Sequence, residues 1–170
     1  MAIRTILTAP DPRLKQPGKD VAKVDGDIRT LVDDMLETMY AADGVGLAAP
    51  QIGVSLNVVV IDIAQKDGKN EPQAFINPKI VWASEETAKY EEGCLSVPDI
   101  WDEVERPVAI RCEYLDRDGK PQVVEADGFL ADCLQHEIDH LKGTLFIDHL
   151  SRLKRTMALK KLEKAKKLKA

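Results

Sequence analysis

Two histidines four residues apart are the side chains best placed to do chemistry. They belong to the segment His136-Glu137-Ile138-Asp139-His140, an H-E-x-x-H pattern. On a helix, residues four apart lie on one face, so both imidazoles can bind the same ion. Glu137 follows the first histidine and can contact an ion-bound water without itself being a ligand. The pattern therefore predicts a metal-dependent hydrolase with Glu137 as its base.

The alternative is a solvated helix face that carries two surface histidines. The segment from residue 129 to residue 141 is mostly apolar, however, and the chain has only three histidines. An apolar helix is expected to be buried, and buried histidines need partners. Both facts favour ion binding.

A catalytic ion site needs a third protein ligand and an open position. Phe146 stands where a metzincin-type protease would have its third histidine. His149 follows a predicted turn, which favours a surface or packing role, and Glu163 lies in a lysine-rich segment that should be solvated. Cys133 shares the helix face of the histidines, but it is seven residues from His140, about 10 Å along the helix axis. A small buried hydrophobe is the better interpretation of Cys133.

Cys94 is the remaining candidate. Gly93 before it lets the backbone approach another group closely, and Pro98 is expected to end the segment. The alternative is a buried strand cysteine, which is our interpretation of Cys112 in its alternating run of apolar and polar residues.

Helices and strands must both contribute to holding these residues. Apolar residues recur at helical spacing over residues 27–42, with Asp25 or Asp27 as the cap and Gly44 just past the end. Strands are predicted over residues 56–63, 73–82, 104–115 and 122–126, and a turn at 116–119 joins the last two. A second helix is predicted over residues 129–141, where Gly143 stops it, and a third helix is predicted to begin after Ser151. The predicted class is α+β: antiparallel sheets packed around a central helix that carries the H-E-x-x-H segment, with a C-terminal helix.

Charge divides the chain into two parts. It has 170 residues, 44% hydrophobic and 31% charged, which is typical of one globular domain. Residues 1–150 form the expected catalytic body with a net charge of −13, and residues 151–170 form a basic helical tail of the same domain with +8. Such a tail predicts an anionic partner. Its apolar positions are Leu153, Met157, Leu159, Leu162 and Leu168.

The sequence predicts a cytoplasmic protein with no membrane partner. No apolar run approaches the ~20 residues needed to cross a bilayer. Residues 1–14 lack the basic start and apolar stretch of a signal peptide. Three cysteines, an odd number in a chain without a secretion signal, indicate reduced thiols.

Three segments together resemble bacterial-type peptide deformylases. They are Gly44-Val-Gly-Leu-Ala-Ala-Pro-Gln51, Glu92-Gly-Cys-Leu-Ser96 and Gln135-His-Glu-Ile-Asp-His140, in the order and approximate spacing of that family. The resemblance extends from about residue 3 to at least residue 150. It implies that the chain removes the formyl group from N-formylmethionine at the start of nascent polypeptides and releases formate.

The resemblance also implies residue roles. Glu137 is the expected general acid/base, and Gln51 and the backbone N–H of Leu95 are the expected oxyanion donors. A metal-bound water would attack the formyl carbon, and Glu137 would return the proton to the departing amine. The expected metal ligands are Cys94, His136 and His140.

The family's usual metal is ferrous iron, so the resemblance implies Fe²⁺, with Zn²⁺, Ni²⁺ or Co²⁺ as alternatives. The Cys/His₂ set by itself suggests zinc. Glu92 and Arg106 are expected to pair and support the metal loop. The resemblance implies a substrate pocket with an apolar wall that suits a methionine side chain, lined by Val45, Gly46, Leu95 and Cys133.

Two positions depart from the family's pattern. Some members have an arginine seven residues after the metal cysteine that contacts the peptide backbone, and Trp101 stands there in this chain. This predicts a more apolar grip on the substrate peptide. Asp132 occupies a position that is often apolar, and we expect it either to face solvent or to disfavour acidic residues near the start of the peptide.

Three questions of function remain open on the sequence. The basic tail is either a solvated amphipathic helix or, as similar helices in the family suggest, a helix that docks on ribosomal RNA. An endopeptidase of the H-E-x-x-H type would depend on Glu163 or His149. An inactive family member that binds peptide or ribosome is the third possibility, which the intact chemical positions of all three segments disfavour.

Overall fold

The computed structural model describes residues 2–169, without the side chains of residues 66, 168 and 169. The helices are α1 (Gly26–Ala41), α2 (Gly128–Leu141) and α3 (Arg152–Lys169). The strands are β1 (Gly46–Ala48), β2 (Val58–Ile61), β3 (Gln73–Ala83), β4 (Thr87–Cys94), β5 (Val97–Pro107), β6 (Ala109–Leu115) and β7 (Pro121–Asp127).

The strands form two antiparallel sheets. Five of them pair in the order β1-β2-β3-β6-β7, and β4 and β5 form a separate hairpin. Ten of the fourteen residues of α2 are buried between these two sheets and their connections. The predicted α+β class, with antiparallel sheets around a central helix, is confirmed.

Strand β2 explains how α2 is held. Its four residues are all buried, although strands with one solvated face alternate in polarity. Val58 and Val60 pack with the apolar side of α1, whereas Val59 and Ile61 pack with α2. The sheet therefore lies between the two helices, and α2 rests on a fully apolar surface.

Both predicted helices before residue 150 form nearly where the periodicity places them. The Asp25 side chain accepts a hydrogen bond from the Ile28 N–H at 3.1 Å and caps α1. Helix α2 ends at Leu141, and Gly143 follows in a left-handed conformation. No helix within residues 2–169 is both long and apolar enough to cross a bilayer.

The prediction of a single strand over residues 104–115 is wrong, because two strands lie there. The chain leaves the hairpin at Pro107 and enters the larger sheet at Ala109. Pro107 has no N–H to continue a ladder, and the Val108 N–H donates to the Glu86 carbonyl at 3.1 Å instead. The predicted turn at 116–119 is confirmed by a hydrogen bond from the Gly119 N–H to the Asp116 carbonyl.

Pro98 was expected to end its segment and instead lies inside β5. Cys94 pairs with Val97, and the next pair is Glu92 with Asp102, so residues 98–101 of β5 face Gly93 alone. This is a large bulge, in which a proline lacking a ladder N–H is tolerated. The bulge turns the end of the hairpin toward α2.

Helix α3 forms as predicted, with the Ser151 hydroxyl accepting a hydrogen bond from the Lys154 N–H. Its docking differs from the expected apolar stripe. Ala158 and Leu162 are buried against the hairpin and the turn Phe146–His149, but Leu153 is 70% exposed and Met157 60%. The helix contacts the body along a narrow strip only, while Leu168 lies outside the described side chains.

Because α3 buries Leu162 and exposes Leu153, a leucine-to-alanine substitution should destabilise the protein far more at position 162 than at position 153. Leu162→Ala should lower the free energy of unfolding by about 2–3 kcal/mol, because it removes buried methyl groups. Leu153→Ala should change it by less than about 0.5 kcal/mol. Urea unfolding followed by circular dichroism measures both, and equal losses would contradict the observed orientation of α3.

Candidate metal centre

Helix α2 brings two imidazoles together on its buried face. His136 is 7% exposed and His140 1%, and their ring centroids lie 5.2 Å apart. Because α2 is covered by both sheets, these side chains point into protein rather than solvent. The helical spacing of the sequence is therefore realised as a pair of adjacent nitrogen donors.

The end of strand β4 supplies the third donor. Cys94 Sγ lies 3.2 Å from His140 Nε2. One donor atom from each of Cys94, His136 and His140 lies within 4.8 Å of the others, the only such group of three His, Cys, Asp or Glu side chains in the described part of the chain. A thiolate and two imidazoles form a donor set that suits Zn²⁺, Fe²⁺ and similar ions, so the residues present fit a divalent ion.

The two histidines have pKa values shifted in opposite directions. Burial and the neighbouring His136 hold the pKa of His140 well below its usual value, so its imidazole is neutral. At His136 burial lowers the pKa, but contacts with Cys94 and Glu92 outweigh burial and raise the pKa well above its usual value. An ion would have to displace a proton from His136, as metal binding to such ligands generally does.

A buried ion pair ties the cysteine strand to the histidine helix. Arg106 donates to Glu92 from Nε at 2.6 Å and from Nη2 at 2.9 Å, and from Nη1 to Asp139 at 2.9 Å. His136 Nδ1 lies 2.8 Å from Glu92 Oε1. Although burial raises the pKa of Glu92, the hydrogen bonds from Arg106 and His136 hold it well below its usual range. Glu92 thus contacts Arg106 and a candidate ligand at once.

Glu137 follows the first of these histidines on α2 and is buried with one carboxylate oxygen unpaired in the described part of the chain. Its side chain is 6% exposed, and its Oε1 has no hydrogen-bond partner among the described residues. A Cβ at Gly46 would come within 2.6 Å of Glu137 Oε2, so only glycine leaves room for this carboxylate. Burial raises the pKa of Glu137 to about 7. A carboxylate with such a pKa can accept and return a proton near neutral pH.

Gln51 lies in the short helical turn Ala49–Ile52 and is 1% exposed. Its Oε1 accepts from the Ala48 N–H at 2.9 Å, which orients the amide so that Nε2 points to the hairpin. Nε2 donates to the Ser96 hydroxyl at 3.0 Å and lies 3.5 Å from Cys94 Sγ. Leu95 is in the tight turn between Cys94 and Val97, so its backbone is also close to the thiol.

A cleft of about 530 Å³ opens onto these residues. Its lining includes every residue expected in the substrate pocket, namely Val45, Gly46, Leu95, Trp101 and Cys133. Sequence reasoning missed Phe129, Pro98 and Asp99, which also line it. Ser96 was missed as well, although it belongs to the quoted segment around Cys94. A second depression of similar volume lies on α1 between Asp33 and Ala41, away from the donors.

Asp132 does not face solvent, so that expectation is wrong. It is 5% exposed, lines the cleft and lies 3.6 Å from Arg106 Nε. Burial and contact with Glu92 raise its pKa to about 8. The periodicity of α2 could have located it, because Asp132 precedes His136 by one helical turn and shares its buried face.

The rejected ligand candidates His149 and Glu163, and the strand cysteine Cys112, have other surroundings. His149 Nε2 contacts Asp139 at 2.8 Å and is 39% exposed, and the Glu163 side chain is 65% exposed and lies 3.8 Å from Lys167. Cys112 is fully buried in β6, where burial raises its pKa to about 11. None of the three belongs to the donor group.

Known proteins match this chain in sequence and in fold. The profile of the family "Polypeptide deformylase" matches residues 3–156. The peptide deformylase of Phenylobacterium zucineum is 57% identical over 164 residues, covering 96% of this chain and 97% of that protein. That of Hyphomonas neptunium is 59% identical over 167 residues, covering 98% and 95%.

Solved structures agree. A peptide deformylase from Ehrlichia chaffeensis, crystallised with actinonin, superposes with a TM-score of 0.93 at 47% identity, covering 97% of this chain and 98% of that one. One from Legionella pneumophila gives 0.92 at 52% identity, covering 99% and 98%. The resemblance carried by the three sequence segments is confirmed, and the chain belongs to the polypeptide deformylase family of enzymes.

Proposed function

We propose that this chain hydrolyses the formyl group from N-formylmethionine at the start of nascent polypeptides in the cytoplasm. The observation that carries the proposal is the donor group of Cys94, His136 and His140 at a cleft, with the buried carboxylate of Glu137 beside it. A hydrolase for a small acyl group needs such a combination of ion ligands, base and enclosed substrate space.

Cys94, His136 and His140 would hold one divalent ion. When bound, the ion supplies an acidified water and polarises the formyl carbonyl. We propose Fe²⁺ because the family resemblance implies it, with Zn²⁺, Ni²⁺ and Co²⁺ as ions that the same donors accept. The thiolate at Cys94 would make the site sensitive to oxidation.

Glu137 is the proposed acid/base. Its carboxylate takes a proton from the attacking water as the new C–O bond to the formyl carbon forms. It then delivers that proton to the methionine nitrogen as the C–N bond breaks, which leaves formate and a free amine. The absence of a hydrogen-bond partner at Oε1 among the described residues supports this role, because nothing there competes for the proton.

Gln51 Nε2 and the Leu95 N–H are the proposed donors to the oxyanion. Fixed donors stabilise the charge that develops on the formyl oxygen, and losing one typically costs ~3 kcal/mol. The hydrogen bond from the Ala48 N–H holds the Gln51 amide in one orientation before substrate arrives. Glu92 and Arg106 would in turn orient His136 through its Nδ1 contact.

The methionine side chain would occupy the apolar part of the cleft, formed by Val45, Gly46, Leu95 and Cys133. Trp101 would contact the peptide further out, since this residue lines the cleft and is 66% exposed. A flexible thioether suits such a wall, because it adapts to irregular apolar surfaces. Two alternatives remain: an endopeptidase, which would break a peptide bond, and an inactive family member, which would bind the peptide and break no bond.

Formate release from formyl-Met-Ala-Ser by the Fe²⁺-loaded enzyme, prepared without oxygen, tests the reaction. Glu137→Gln should lower kcat by at least about 100-fold, because the amide cannot accept the proton. Glu163→Gln is the matched control, the same change at an exposed site, and should keep wild-type turnover. Absence of formate from folded, metal-loaded protein would refute deformylation. Peptide-bond cleavage that depends on Glu163 would indicate the endopeptidase.

The ribosome is the proposed partner of α3. The exposed lysines of α3 include Lys160, Lys164 and Lys167, which lie opposite the buried Ala158 and Leu162. A helix that buries only a narrow strip leaves this cationic face open to the phosphates of RNA, whose binding depends on salt. Because the buried strip stabilises the body, charge neutralisation tests docking better than deletion of the helix.

Changing Lys160, Lys164 and Lys167 together to Gln should weaken co-sedimentation with ribosomes at low salt. It should also reduce the slope of log affinity against log salt, by roughly 0.7–0.9 for each lost phosphate contact. The matched control replaces the exposed Lys69, Lys79 and Lys120 of the body by Gln. Unchanged co-sedimentation of the α3 variant would rule out docking through this face.

A further inference from the structure

One wall of the cleft is a single run of backbone, residues 42–46, which leads from the end of α1 into β1 and is here called the cleft wall. A Cβ at Gly44 would come within 2.7 Å of Leu95 Cδ1. A Cβ at Gly46 would come within 2.6 Å of Glu137 Oε2. The position of this backbone therefore sets the width of the proposed methionine pocket at one end and the space around the proposed base at the other.

Two successive carbonyls of the cleft wall are bound by the segment that follows β2. The Val45 carbonyl accepts a hydrogen bond from the Asp62 N–H at 2.8 Å. The Gly44 carbonyl accepts from Gln65 Nε2 at 3.1 Å. The same Nε2 donates to the Asp62 carbonyl at 3.0 Å, which is possible because a side-chain amide carries two N–H donors. The partly buried amide of Gln65 thus connects the cleft wall to Asp62, although neither residue lines the cleft itself.

Asp62 is a rigid point of attachment for this amide. It is fully buried, and its carboxylate accepts from the Tyr40 hydroxyl at 2.5 Å, the Ala64 N–H at 3.0 Å and the Glu71 N–H at 3.1 Å. Burial and the contact with Asp62 raise the pKa of Tyr40, so its hydroxyl stays protonated and donates. A buried polar group with several partners is held in one conformation. Asp62 therefore fixes the turn that carries Gln65 to α1.

The cleft wall needs such support because its local conformation is not the preferred one. Asp43 adopts a left-handed conformation with φ 58°, which is costly outside glycine and persists where the surroundings hold it. Gly44 has no side chain with which to pack. Its N–H donates to the Met39 carbonyl at 2.9 Å, and its carbonyl is bound by Gln65. Loss of the Gln65 amide would release the carbonyl side of Gly44.

We propose that Gln65 is a positioning residue, whose amide holds Gly44 against Leu95 and thereby keeps the methionine pocket at its working width. This inference rests on the proposed deformylase function and adds a residue that acts on the substrate only through the cleft wall. Gly46, beside Glu137, is held separately by its pairing with Ile61 of β2. Gln65 should therefore affect how tightly the methionine side chain is bound and should not affect proton transfer.

The test measures formate release by Fe²⁺-loaded enzyme from formyl-Met-Ala-Ser and from formyl-Ala-Ala-Ser, which leaves the methionine pocket empty. Gln65→Met keeps the length of the side chain and removes both donors. KM for the methionine peptide should rise about threefold to tenfold, the scale of one hydrogen bond. Because binding is lost equally in the ground state and the transition state, kcat should stay within about twofold. For the alanine peptide, kcat/KM should stay at the wild-type value.

A rescue variant and a matched control separate positioning from general damage. Gln65→Lys supplies N–H donors to the same carbonyls again and should restore most of the affinity for the methionine peptide. Gln122→Met is the same change at an exposed site on β7, where the amide donates to Asp116 Oδ2 at 3.0 Å. It removes a hydrogen bond away from the cleft and should leave the kinetics of both peptides unchanged.

Amide hydrogen exchange reports on the cleft wall without any substrate. Exchange over residues 42–48 should be faster in Gln65→Met than in the wild type or in Gln122→Met, since local opening becomes easier. Unchanged exchange there, unchanged KM in Gln65→Met, or an equal loss for both peptides would overturn the positioning role and leave deformylation standing. Absence of formate from every protein, the wild type included, would overturn the proposed function and this inference together.

Discussion

The buried ion pair between Glu92 and Arg106 is the interaction on which the site depends. The proposed ligands lie on two separate elements, Cys94 on a hairpin and the histidines on α2, and these need a fixed relation. Arg106 spans them, because it is bidentate to Glu92 on β4 and also binds Asp139 on α2. Both ion-pair partners are about 95% buried, so removing either one would strand an uncompensated charge, at a cost of about 3–5 kcal/mol.

Apolar packing against the surrounding fold stabilises α2, although this helix buries several polar side chains. One side of α2 rests on the apolar face of the five-stranded sheet, through Val59 and Ile61 of β2. The other side carries His136, Glu137 and His140 toward the hairpin. The two contacts have different consequences: apolar packing fixes where the helix lies, and the charged contacts fix which atoms point into the cleft. Because no described residue hydrogen-bonds to Oε1 of Glu137, this oxygen is free to accept a proton.

Elements with strong local signals could be predicted from the sequence. The periodicity and the Asp25 cap gave α1, the H-E-x-x-H spacing gave the adjacent histidines, and three segments gave the family. Features that depend on tertiary context could not be predicted. The break at Pro107 lies within a segment, residues 104–115, that looks like one continuous strand, and β4 is too charged to look like a strand. Leu153 looks like a buried position of α3, but nothing covers it in the described structure. The approach of Cys94 to the histidines depends on a hairpin bulge that no local pattern reveals.

A titration with Co²⁺ tests most directly whether the charged contact to α2 creates the ion site. Wild-type protein should bind one ion per chain with a thiolate-to-cobalt absorption band from Cys94, and Glu92→Gln should weaken binding by about 10–100-fold while far-UV circular dichroism stays native. Glu125→Gln, the same change at an exposed position, is the control. Cobalt binding by folded Glu92→Gln that equals the wild type in affinity and absorption would contradict the central role given to the Glu92–Arg106 pair.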